Sequence, residues 1–159
     1  MRGTSMKHLL AILVAGLFMV SGQAYAAGSD DPPKAADLVE LVAAKKHVQA
    51  ENYKEAIPLL EKVVTAQPQN ANALNLLAYS QRKSDDLKAS LANYKKALAV
   101  DPSHKDAHEY IGELYLRTDD LANAEKHLKR LDQLCFFGCE QFDELKAAIA
   151  AYKKKKGQS

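Results

Sequence analysis

The feature that most constrains this chain is its likeness to itself at an offset of 34 residues. Tyr53, Leu87 and Leu121 stand 34 apart, as do Asn52, Asp86 and Asp120; Ala56, Ser90 and Ala124; Leu60, Tyr94 and Leu128; and Ala44, Ala78 and Gly112. A unit of that length cannot bury its own apolar face. A fixed period with small residues at fixed places therefore requires helix–turn–helix pairs that stack on one another. The small residues belong where helix axes approach to roughly 8–10 Å, because a bulky side chain there overpacks the crossing. Arrays of this kind present surfaces to other molecules.

The stretches between the repeated positions read as helix. From Ala35 onwards Ala, Leu, Lys and Glu dominate, and β-branched residues are scattered. Apolar residues return at helical spacing, as in Tyr53, Ala56, Ile57, Leu60, Val63 and Val64. Gln67-Pro68-Gln69-Asn70 and Asp101-Pro102 stop two helices, because Pro lacks the amide donor and restricts its predecessor. The turn residues Asn52, Asp85, Asp86, Asp119 and Asp120 are expected to cap the helices that follow them. A last amphipathic helix, about 140–154, carries Phe142, Leu145, Ile149 and Tyr152. The predicted fold is an all-α solenoid closed by a C-terminal helix over its last apolar face.

On these residues the chain resembles the tetratricopeptide repeat family, as an exported bacterial member. Three repeats fall at 37–70, 71–104 and 105–138, within 37–138, and 139–159 forms the C-terminal helix and its lysine-rich tail. Pro68 and Pro102 match the Pro that closes a unit, and Ala97 the late small residue. Leu60, Tyr94 and Leu128 match the large residue of the second helix. The first repeat departs from the pattern at Glu40 and His47, and the third ends in Phe136 in place of Pro.

The resemblance implies a concave groove, lined by the first helix of each repeat, that holds a peptide or partner helix. By repeat position its partner-binding residues are Lys45, Asn75, Tyr79, Arg82, Glu109, Tyr110, Glu113 and Arg117, with Leu38, Leu41, Val42, Leu76, Lys83 and Leu116 beside them. Amides grip a peptide backbone, Tyr supplies rigid contact area and charges set register. The residue set that chaperone-binding members use for a terminal carboxylate is absent. Leu41, Lys45, Leu76, Asp106 and Tyr110 stand in its places.

The first 26 residues read as a cleavable signal peptide: Arg2, Lys7 and His8, then an apolar run over Leu9 to Val20, then Ala24-Tyr25-Ala26. That run has twelve residues, short of the roughly 20 that span a bilayer, so no stable span is expected after cleavage. Residues 27–36 form a linker containing Pro32 and Pro33. Cleavage after Ala26 leaves 20 basic against 20 acidic residues, with four of the lysines at Lys153 to Lys156. No basic stripe marks a nucleic-acid face. The expected location is the periplasm, the partner a protein or peptide, and the oligomeric state is left open.

Cys135-Phe136-Phe137-Gly138-Cys139 is the local sequence that leaves the repeat. Two cysteines in an exported chain read first as a disulfide. A redox pair normally has two intervening residues and a thioredoxin-like βαβ unit. A soft-metal site wants further ligands, and His127 is the nearest candidate. The five histidines show no metal-binding spacing, and His104 and His108 read as solvated residues at a helix start. No phosphate loop, nucleophile elbow or Ser/His/Asp arrangement is present, and the carboxylates are expected on turns and exposed faces. The reading is a non-enzymatic interaction module, an adaptor or scaffold of a bacterial cell-envelope complex, without cofactor or metal. A thiol-redox or metal carrier built on Cys135 and Cys139 is the alternative.

Overall fold

Two kinds of turn punctuate the helices, and both recur in register. The computed structural model describes residues 35–157, so the signal peptide and all but the end of the linker lie outside the described residues. Within them run α1 (Ala35–Gln49), α2 (Tyr53–Ala66), α3 (Ala71–Lys83), α4 (Leu87–Val100), α5 (Lys105–Arg117), α6 (Leu121–Leu134) and α7 (Glu140–Lys155), with no strand among the described residues. α1 begins inside the stretch read as linker.

The turns inside each unit put Glu51, Asp85 and Asp119 in the left-handed region, at φ 59°, 70° and 59°. The short polar side chain of Asp tolerates that conformation better than most, an advantage Glu51 lacks. It lets the next amide reach back five residues: Asn52 N to His47 O, Asp86 N to Gln81 O and Asp120 N to Tyr115 O, at 2.8, 2.9 and 2.8 Å. Of the five residues expected to cap, only Asp86 and Asp120 do so, accepting from Ala89 N and Asn123 N at 3.1 Å each. Asn52 makes no side-chain cap bond. Asp85 and Asp119 serve instead as the left-handed hinge.

The turns between units also repeat. Gln67 O accepts from Asn70 N, Asp101 O from His104 N and Cys135 O from Gly138 N, at 3.0, 3.2 and 2.7 Å. Asn70 and His104 then cap α3 and α5 through their side chains. The last turn carries one extra residue, since α3 and α5 start 34 apart and α7 starts 35 after α5. Gly138, at φ 86°, absorbs that insertion.

Packing follows the small residues. Ala44, Ala56, Ala78, Ser90 and Ala124 are fully buried, and Ser90 Oγ donates to Ala78 O at 2.7 Å across the α3–α4 crossing. Gly112 has a different neighbour from the one expected. A Cβ there would lie 2.6 and 2.7 Å from the two Leu145 methyls, so α7, not α6, sets its size limit. Leu145 and Ile149 of α7 join Ala124 and Leu131 in the last core cluster. The lysine-rich end is also partly held: Lys153 pairs with Glu125 at 2.6 Å and Lys156 with Asp119 at 2.8 Å.

Candidate functional site

The odd-numbered helices touch in succession, α1 with α3, α3 with α5 and α5 with α7, whereas α2, α4 and α6 do not touch one another. The odd helices therefore form the closed, inner side of the array. Along it runs a tyrosine ladder. Tyr53 at the start of α2 meets Tyr79 of α3 edge-on at 5.8 Å, and Tyr79 meets Tyr110 of α5 at 4.9 Å. Three stacked units thus contribute one continuous aromatic strip. Arrangements of this kind supply contact area at little conformational cost.

Arg82 threads the strip. Its guanidinium lies 5.4 Å from both the Tyr79 and Tyr110 ring centres and pairs with Glu113 across to α5. Arg117 donates to Arg82 O at 2.8 Å and to Asp85 Oδ1 at 2.7 Å. Much of the charge predicted to face a ligand is therefore already compensated within the protein. Lys45 is one exception and Lys83 is another. Lys83 is exposed, with its ammonium 5.7 Å from the Tyr53 and Tyr79 ring centres. Burial pushes the phenols of Tyr110 in the strip and of Tyr94 behind it upward, so both stay neutral. Asn75 is buried at 4 % exposure and its Oδ1 has no hydrogen-bond partner. An unsatisfied buried acceptor of this kind costs about 1–3 kcal/mol.

The predicted groove residues separate on this frame. Tyr79, Tyr110, Arg82 and Glu113 come together as one cluster. Asn75 lies one turn before Tyr79 on α3, and Arg117 packs on the C-terminal end of that helix. Lys45 is exposed on α1. Glu109 is 3 % exposed and faces Glu144 of α7. Burial and that carboxyl neighbour push Glu109 up to about 9, which makes it a protonated interior residue at neutral pH. The expectation that carboxylates keep to turns and open faces fails here.

His108 also departs from expectation, being buried at 7 % exposure. Its Nδ1 meets His127 Nδ1 at 2.8 Å and its Nε2 meets Pro102 O at 3.1 Å. A carbonyl only accepts, so His108 carries its proton on Nε2 and His127 donates from Nδ1. Tyr115 stacks on His127 at 5.7 Å. Burial lowers both imidazoles, His127 to about 4. The repeat offset held a signal for this pair, because His108 occupies the place of Leu74, a core residue. His127 is thereby committed to His108, and among the described residues no group of three or more metal-binding side chains converges. Cys135 and Cys139 stand with Cα atoms 5.5 Å apart and their sulfurs at bonding distance. Tyr53, missed as a ligand-facing residue, is the first residue of a second helix and falls outside a first-helix rule.

The tetratricopeptide repeat model matches residues 41–92 and 75–135, and the chain belongs to that family. It is 35% identical over 81 residues to the TPR repeat-containing thioredoxin TTL4 of Arabidopsis thaliana, a match covering 48% of this chain and 11% of that protein. MamA 41-end from Desulfovibrio magneticus RS-1 is similar in structure, at TM-score 0.59 and 28% identity over 61% of this chain and 55% of that one. The first TPR of Spaghetti (RPAP3), solved bound to the HSP90 peptide SRMEEVD, gives TM-score 0.65 at 22% identity over 73% of this chain and 92% of that chain. The chain thus spans a small part of the Arabidopsis protein and about half of the MamA chain.

Proposed function

We propose that this protein is a non-enzymatic interaction scaffold of a bacterial cell-envelope complex, exported to the periplasm and cleaved after Ala26. Its inner face takes an extended segment of a protein partner. The observation that carries this reading is the Tyr53–Tyr79–Tyr110 strip, which spans all three units. An aromatic strip takes the apolar side chains of an extended segment. Because Arg82 and Arg117 are already paired, contact area dominates recognition, with the exposed Lys45 and Lys83 left to set register. In the oxidising periplasm Cys135 and Cys139 are held as a disulfide that ties α6 to α7.

Cross-linked pull-down from the cell envelope tests the reading. Tyr79→Ala with Tyr110→Ala is expected to abolish capture of the partner held on the inner face, and Cys135→Ser to leave it. The reverse pattern would replace the groove with thiol or metal chemistry. Intact mass of the native protein tests export: a chain starting at Ala27 is expected, and retention of Met1 or Met6 contradicts it.

A further inference from the structure

Phe136 and Phe137 are 87 % and 97 % exposed, the most exposed large apolar side chains among the described residues. Nothing in the fold asks for them. The same turn, with the same carbonyl-to-amide bond, is built at the two earlier unit boundaries from Pro68-Gln69 and Pro102-Ser103. At the third boundary those places hold two aromatic residues. Their rings stand edge-on to each other at 5.0 Å, on a loop pinned by the Gly138 N to Cys135 O bond. Two adjacent, pre-positioned aromatic anchors are the kind of feature that dominates protein interfaces.

The surroundings indicate what fits over them. Between Leu131 and Leu145 the sequence holds Asp132, Glu140, Asp143 and Glu144 and no cation. Asp132, Glu140, Asp143 and Glu144 are all exposed. The nearest cations are directed elsewhere: Arg130 donates to Pro102 O and Gln133 Oε1, and the Lys146 ammonium lies 5.5 Å from the Phe142 ring centre. The tip is thus an apolar knob whose flanking helix ends, the last turn of α6 and the first turn of α7, supply an acidic collar of Asp132, Glu140 and Asp143. An anionic bilayer is repelled by the collar, and two copies meeting knob to knob bring like charges together. We infer that the Phe136–Phe137 tip is a second docking surface, separate from the inner face, that inserts into an apolar socket rimmed by Lys or Arg on a partner protein. The inference rests on the backbone turn and on exposure, whatever the state of the two cysteines.

A photo-reactive benzoylphenylalanine placed at Phe137 in the full chain, in cells, tests it, with adducts mapped by mass spectrometry. The expected adduct lies on another protein, at an apolar patch flanked by Lys or Arg. Capture should fall at least tenfold with Phe136→Ser, and equally with Asp132→Lys, Glu140→Lys and Asp143→Lys combined, at unchanged helical content and melting. It should persist in Tyr79→Ala with Tyr110→Ala, which disables the inner face alone. The inference is overturned by absence of a protein adduct, by adducts within a second copy, or by capture that the charge reversal leaves intact. Phe137-dependent sedimentation with phosphatidylethanolamine–phosphatidylglycerol vesicles would overturn it in favour of a lipid contact.

Discussion

The second and third units share a backbone but differ in their interiors. Leu74 and Asn75 of α3 are buried, as are their counterparts His108 and Glu109 of α5. Where α4 carries Asn93, bonded to Gln81, α6 carries His127, bonded to His108. Stacking therefore constrains size and shape at these places more tightly than charge. At these places the second unit is apolar or amide, with no group that titrates. The third encloses the Glu109 carboxyl, which faces the solvent-exposed Glu144 of the closing helix, and an imidazole pair.

The largest effect expected is at that closure. Leu145→Ala should destabilise by about 3 kcal/mol, the range for a fully buried Leu, with the third unit loosening before the second. Urea unfolding followed by circular dichroism gives the total, and hydrogen exchange gives the order. Gly112→Leu should cost about 2–3 kcal/mol, because even a Cβ meets the Leu145 methyls. Recovery of stability in Gly112→Leu combined with Leu145→Ala would show that α7 sets the limit.

The titrating pairs come next. Glu109 holds its proton up to about 9 when folded, against 4.5 ordinarily. The folded state thus binds more protons in that window, and stability falls as pH rises through it. Glu144 is open to solvent, which screens the pair and reduces the effect to roughly 1–2 kcal/mol. Glu109→Gln should flatten that slope in melting curves taken from pH 6.5 to 9. His127 works in the opposite sense. Its folded value of about 4 lies below the ordinary 6.5, so stability is lost as pH falls between them. His127→Asn should remove a loss of about 1 kcal/mol between those values, again read from melting curves.

How much of this was legible follows from what periodicity encodes. The 34-residue offset placed the crossings at Ala44, Ala78 and Gly112 and the hinge acids at 85–86 and 119–120, because both are properties of one unit. It assigned Glu109 to an open groove, because nothing within the unit says that Glu144 of α7 lies against it. Likewise Asp85 and Asp119 read as caps, since composition does not distinguish a capping Asp from one bent into the left-handed region. Tyr79, Tyr110 and Arg82 were placed in the groove, but the Glu113 pairing that neutralises Arg82 forms only across two stacked units.

The claim that one backbone carries two interiors is tested most directly by hydrogen exchange at pH 6.5 and pH 8.5, corrected for the intrinsic pH dependence of exchange. At pH 6.5 an unfolded imidazole is about half protonated, which adds only about 0.4 kcal/mol of linked stability per His, so Glu109 dominates the change. The account predicts that protection falls at the higher pH in α5 and α7 while α3 and α4 keep theirs, and that Glu109→Gln abolishes the difference. Equal loss of protection in both units, or none in either, would contradict it.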